Sequence, residues 1–91
     1  MEEKVLTLHP QGKKGVNIAK DKYDVMRETI TVVLKAKPLT HDELTTSVVK
    51  ALKGKFQGAI PWYMESVKLD MEARKVIERV DAKPHAVYRL R

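Results

Sequence analysis

The chain has 91 residues, 18 Lys and Arg against 12 Asp and Glu, a net charge of +6, 43% apolar and only 5% aromatic residues. A chain this short buries only about 60% of its unfolded surface on folding, so its apolar positions are expected to share one core and make residues 1–91 a single domain. With no cysteine, disulfides, a thiolate nucleophile and cysteine-based metal sites are excluded. The start, MEEKVLTLHP, carries acids instead of the apolar stretch of a signal peptide, and no run approaches the roughly 20 apolar residues that cross a bilayer, so a cytoplasmic protein off the membrane is expected.

Residues 4–9 carry Val, Leu, Thr and Leu, which suit a half-buried strand that Pro10 stops. Gln11-Gly12-Lys13-Lys14-Gly15 reads as a turn, and Val16-Asn17-Ile18 as a returning strand that would close an N-terminal hairpin. From about 20 to 35, Tyr23, Met26, Ile30, Val33 and Leu34 follow the three-and-four spacing of one helical face, with Asp21 and Asp24 near its positive end. Lys37-Pro38 ends this first helix. Thr40-His41-Asp42-Glu43 has the pattern of a capping box, so a second helix starts there, buries Leu44, Val48, Val49 and Leu52, and stops at Gly54. Phe56 is left to anchor the loop. Gly58-Ala59-Ile60-Pro61 opens a third helix, since proline fits a first turn, and this helix is expected to run to about Lys75. Residues 76–80 and 85–90 are two β-rich runs around Asp81-Ala82-Lys83-Pro84, which predicts an antiparallel hairpin.

The expected fold class is therefore α+β, in the order strand, helix, helix, helix, strand, strand. It is the order of a winged helix-turn-helix, with the second and third helices as the pair, the C-terminal hairpin as the wing and the N-terminal strand as a candidate third strand of its sheet. Trp62, then Val67-Lys68-Leu69-Asp70-Met71-Glu72-Ala73-Arg74 and Ile77-Glu78-Arg79-Val80, resemble the signature of a family of small bacterial winged-helix proteins of unknown function. Gly15-Val16-Asn17-Ile18 leading to Tyr23 and Arg27 is similar too. The resemblance covers most of the chain and implies the fold; it implies no activity and carries over no functional residue.

Catalytic chemistry has little support. His9, His41 and His85 lack the spacing of a metal site or an acid–base pair and read as surface residues, so no metal or cofactor is expected. Gln11–Gly15 lacks the pattern of a phosphate-binding loop, and Ser47 and Ser66 have no general base at a recognisable spacing. The chain is not expected to be an enzyme.

The third helix is the one a winged helix offers to a DNA major groove. Its periodicity puts Ile60, Tyr63, Met64, Val67 and Met71 on the core side, Trp62, Leu69 and Ala73 roughly opposite, and Glu65, Lys68 and Glu72 on the strip between. Such a strip is more acidic than a duplex favours. Trp62 and Leu69 either lie beneath the wing and the N-terminal segment, which is the expectation, or stand exposed to meet another chain. Two functions follow. The first is a regulator that binds double-stranded DNA, in which Lys50, Lys53, Lys55 and Lys68 with Arg79, Lys83, Arg89 and Arg91 contact phosphates. The alternative is an interaction module that forms a homodimer or docks on a protein partner through Trp62 and Leu69. Net charge favours the first, the acidic strip the second, and a merely solubilising role for the lysines is the reading to beat.

Overall fold

The computed structural model describes residues 3–91. Its elements are β1 (Lys4–Leu6), β2 (Asn17–Ala19), α1 (Lys20–Ala36), β3 (Leu39–Thr40), α2 (His41–Leu52), α3 (Ile60–Ala73), β4 (Ile77–Val80) and β5 (Val87–Leu90). Three helices and two small antiparallel sheets make an α+β fold in an order compatible with a winged helix-turn-helix.

Each helix contributes one apolar stripe to a common centre. Met26, Ile30 and Leu34 come from α1, Leu44, Val48 and Leu52 from α2, and Met64, Val67 and Met71 from α3. Ile18, Leu39, Ile77 and Tyr88 close the cluster from the strands. Burying an aliphatic side chain of this size stabilises the fold by about 1.5–3 kcal/mol, which is why the helical stripes, and not helix propensity, hold the three together.

Local signals set most boundaries. The Thr40 hydroxyl accepts the Glu43 N–H at 3.2 Å, and the Glu43 carboxylate accepts the Thr40 N–H at 3.0 Å, so the capping box is complete. Pro61 sits in the first turn of α3 as expected. That helix stops at Ala73, short of Lys75, because Lys75 adopts the left-handed conformation (φ 62°) and the Val76 N–H turns back to the Met71 carbonyl at 2.9 Å. This is a Schellman-type stop made without the glycine that usually announces it.

The sheets differ from expectation in one respect. The N-terminal strand does not join the C-terminal hairpin: β1 pairs with β2 alone, Val5 opposite Ile18. The third strand beside the hairpin is β3, giving the order β3-β5-β4 with Leu39 opposite Tyr88 and Arg79 opposite Tyr88 on the other side. The residue before a proline is biased to extended backbone, and Lys37 is fully extended (φ −173°, ψ 161°). The link from α1 to α2 thereby enters as a strand and occupies that edge of β5. In the N-terminal hairpin, Gly15 lies so close to Thr7 that a Cβ would collide with its carbonyl oxygen, while the buried Thr7 hydroxyl accepts the Val16 N–H at 2.9 Å.

Candidate nucleic-acid interface

The eight expected phosphate contacts do not form one surface. At the turn between α2 and α3, Lys50, Lys53 and Lys55 are exposed, and none lies within ion-pair distance of an acid among the described residues. Lys53 caps α2 through its N–H to Val49, and Gly54 (φ 78°) and Gly58 (φ 124°) turn the chain into α3. In the turn between β4 and β5, Lys83 is exposed and likewise unpaired among the described residues. Arg79 stands 3.7 Å from Asp81 across solvent, a contact of little strength. Arg89 lies directly opposite Glu78 in the β4–β5 register and binds it at 2.6 Å, and Arg91 reaches the same carboxylate at 3.9 Å. Glu78 thus occupies Arg89, while its longer contact with the exposed Arg91 is as weak as that of Arg79 with Asp81.

The α2–α3 turn and the base of the β4–β5 hairpin stand at opposite ends of α2. A cavity of about 200 Å³ lined by Thr40, His41, Asp42, Arg79, His85, Ala86 and Tyr88 places the base of this hairpin at the start of α2. The helix is 12 residues long, about 18 Å at 1.5 Å per residue, and the three lysines lie at its far end.

Lys68 is not an exposed cation. It is only 4% exposed, with its ammonium 3.8 Å from the centre of the Tyr88 ring, because β5 brings that ring against this side of α3. Nor is Glu72 a groove-facing acid: it is half-buried, and burial raises its pKa against the opposing pull of Lys68, Arg79, His9 and His41. The expected strip of Glu65, Lys68 and Glu72 is therefore broken up. What α3 shows to solvent is Pro61, Trp62 and Glu65, a surface without a cation.

Trp62 and Leu69 part company as well. Leu69 is half-buried and lines a narrow cleft with Thr7, Leu8 and His9, so the N-terminal segment does cover it. Trp62 is 47% exposed, contrary to the expectation that it lies beneath that segment or the wing. The reason is where the segment is tied down: the Leu8 N–H donates to Asp70 at 2.8 Å, two turns of helix beyond Trp62. Tyr63 backs the indole edge to face at 5.0 Å.

Periodicity gave no hint of the network around Asp70. Its carboxylate is fully buried and accepts the Tyr23 hydroxyl from α1, the Leu8 N–H, and the Arg74 Nε at 3.0 Å. Burial first, then the hydrogen bond to Asp70, raise the Tyr23 pKa, and the same carboxylate raises that of Arg74. The available signal was an acid inside the apolar run of α3 with an arginine four residues on. No buried side-chain polar atom among the described residues lacks a partner, so the network is a closed structural tie. His41 and His85 share the cavity at the wing base, and no group of three metal-ligating residues occurs among the described residues.

Residues 4–87 match the profile of a protein family described as a family of unknown function, DUF6958. The chain belongs to that family. The DUF6958 match takes in both sheets as far as Val87, the three helices, the Asp70 network and every candidate contact except Arg89 and Arg91. No curated protein and no solved structure matches the chain. No helix of this DUF6958 chain is long and apolar enough to cross a membrane among the described residues.

Proposed function

We propose that the chain is a winged-helix module that binds double-stranded DNA through its phosphates, with little reading of sequence. The observation that carries this is the trio Lys50, Lys53 and Lys55: three exposed cations within six residues at the turn leading into α3, with no acid drawing on them among the described residues. Lys83, exposed in the β4–β5 turn, adds a further cation without an acid in ion-pair distance among the described residues. Base readout has no comparable support, since the open strip of α3 offers Pro61, Trp62 and Glu65 in place of Arg, Asn or Gln.

The test is fluorescence anisotropy on two unrelated duplexes at several salt concentrations. Replacing Lys50, Lys53 and Lys55 by Gln should weaken both alike and flatten the salt dependence by about 0.9 per lost contact. Arg89→Gln should change little, because Glu78 already holds that side chain. Undiminished binding by the triple variant defeats the proposal. The alternative of a homodimer or protein-docking module through Trp62 and Leu69 draws on a different observation, the apolar exposure of Trp62 (47%) and of Leu8 (44%), which lies beside Leu69. A mass in solution that rises with protein concentration, together with no affinity for DNA, would favour it.

A further inference from the structure

We infer that Trp62 is a stacking platform for an unpaired nucleobase, with Lys22, Lys53 and Lys55 receiving the flanking phosphates; this rests on the nucleic-acid reading above and gives it a preferred form of substrate. In a chain of 91 residues with one tryptophan, leaving that side chain 47% exposed forgoes the largest apolar surface available to the core. The indole nevertheless rests against a chain of aromatic rings. It meets Tyr63 edge to face (5.0 Å, 86°), and Tyr63 meets Phe56 in the same manner (5.1 Å, 73°). Gly58 presses on the back of this stack, since a Cβ there would stand 2.7 Å from the Tyr63 ring. A platform fixed before binding loses little conformational freedom when a ring settles on it.

The charge around the platform selects the occupant. The Lys22 ammonium lies 5.2 Å from the Tyr63 ring centre and 3.5 Å from its hydroxyl. Lys22, Lys55 and Phe56 also line a cleft of about 310 Å³ beside this corner, and Lys53 stands two residues away. Asp21 in that cleft and Glu65 one turn along α3 oppose them, leaving the lysines in excess. An exposed indole beside an aromatic neighbour that carries a cation, with further lysines along the adjoining cleft, is an arrangement that takes a base on the ring and phosphates on the charges, with tolerance of sequence because every base has a π face. In a duplex those faces are already stacked on their neighbours, so the platform favours a single strand or an unpaired base.

Because Trp62 is the sole tryptophan, its fluorescence reports the contact directly. A short oligothymidylate should quench it at low salt, while a blunt duplex of equal length should bind without quenching. In anisotropy with labelled strands, Trp62→Ala should weaken the single strand roughly 10-fold or more and leave the duplex nearly unchanged, with Trp62→Phe between. Thermal melts of both variants check that they fold, which a half-exposed position allows. Single-strand binding without quenching, and unaltered by Trp62→Ala, overturns the stacking role while the phosphate proposal stands. Failure of both strand forms to bind overturns the phosphate proposal itself, and the stacking role with it. Concentration-dependent association abolished by Trp62→Ala would make the indole a protein contact and likewise overturn the inference.

Discussion

Asp70 shows how much a single buried charge can organise in a small fold. Its carboxylate has no contact with solvent and satisfies donors from α1, the N-terminal segment and its own helix, so removing any donor leaves part of a buried anion unmatched. Tyr23→Phe should lower stability at pH 7 by about 1.5–3 kcal/mol, the range for a hydrogen bond to a charged group. The loss should depend on pH in a stated direction. The Tyr23 pKa is raised in the folded state above its ordinary value of 10.0, so the unfolded chain gives up this proton first. The contribution is complete below pH 10 and declines as pH rises beyond it. Denaturant melts of parent and Tyr23→Phe at pH 7 and above pH 10 check this, the gap between them narrowing at the higher pH. A gap that stays constant would mean the hydroxyl is not held by Asp70. Tyr23, Asp70 and Arg74 all stood in the sequence pattern that resembled a winged-helix family, yet nothing in it said that residues 23 and 70 touch. Contacts between residues 47 apart have no periodicity to betray them.

At the scale of elements, α2 is the one whose start is written most plainly. Thr40 and Glu43 satisfy each other's backbone N–H groups, and the Thr40 N–H holds the Glu43 carboxyl below its ordinary pKa. Thr40→Ala should cost about 1 kcal/mol and leave the fold intact. Denaturant melts give the number; no change at all would show that the box contributes nothing beyond what water supplies. Capping, proline placement and apolar spacing involve residues three or four apart, so they survive in the sequence whatever the tertiary setting. The end of α3 illustrates the converse. Lys75 takes a left-handed conformation that a glycine would have advertised, and the helix stops before the sequence signal suggests. The pairing of β3 with β5 is of the same kind, because two residues are too few to display a strand's alternation.

For the molecule as a whole, one core and one surface divide the chain between them. Ile30 is wholly buried where α1 meets the other helices, whereas Val32, two residues on, is 58% exposed. Ile30→Asp places an unpaired charge in that core and should abolish the cooperative transition in circular dichroism, while Val32→Asp should melt within a few degrees of the parent. Equal melting of the two would mean that α1 presents a different face.

The apolar stripes, the caps, the turn residues and the balance of charge were set by the order of residues alone, since each depends on neighbours within a turn of helix or a pair of strand positions. Which charges remain available was decided only by packing. Lys68 reads as a surface cation until Tyr88 arrives from the far end of the chain to cover it, and Arg89 reads as free until the hairpin register sets it against Glu78. Trp62 reads as covered by the wing and the N-terminal segment until that segment is tied at Asp70, two turns away, and leaves the indole open. Burial of a side chain is a property of what packs over it, and what packs over these three comes from parts of the chain that no local pattern connects to them.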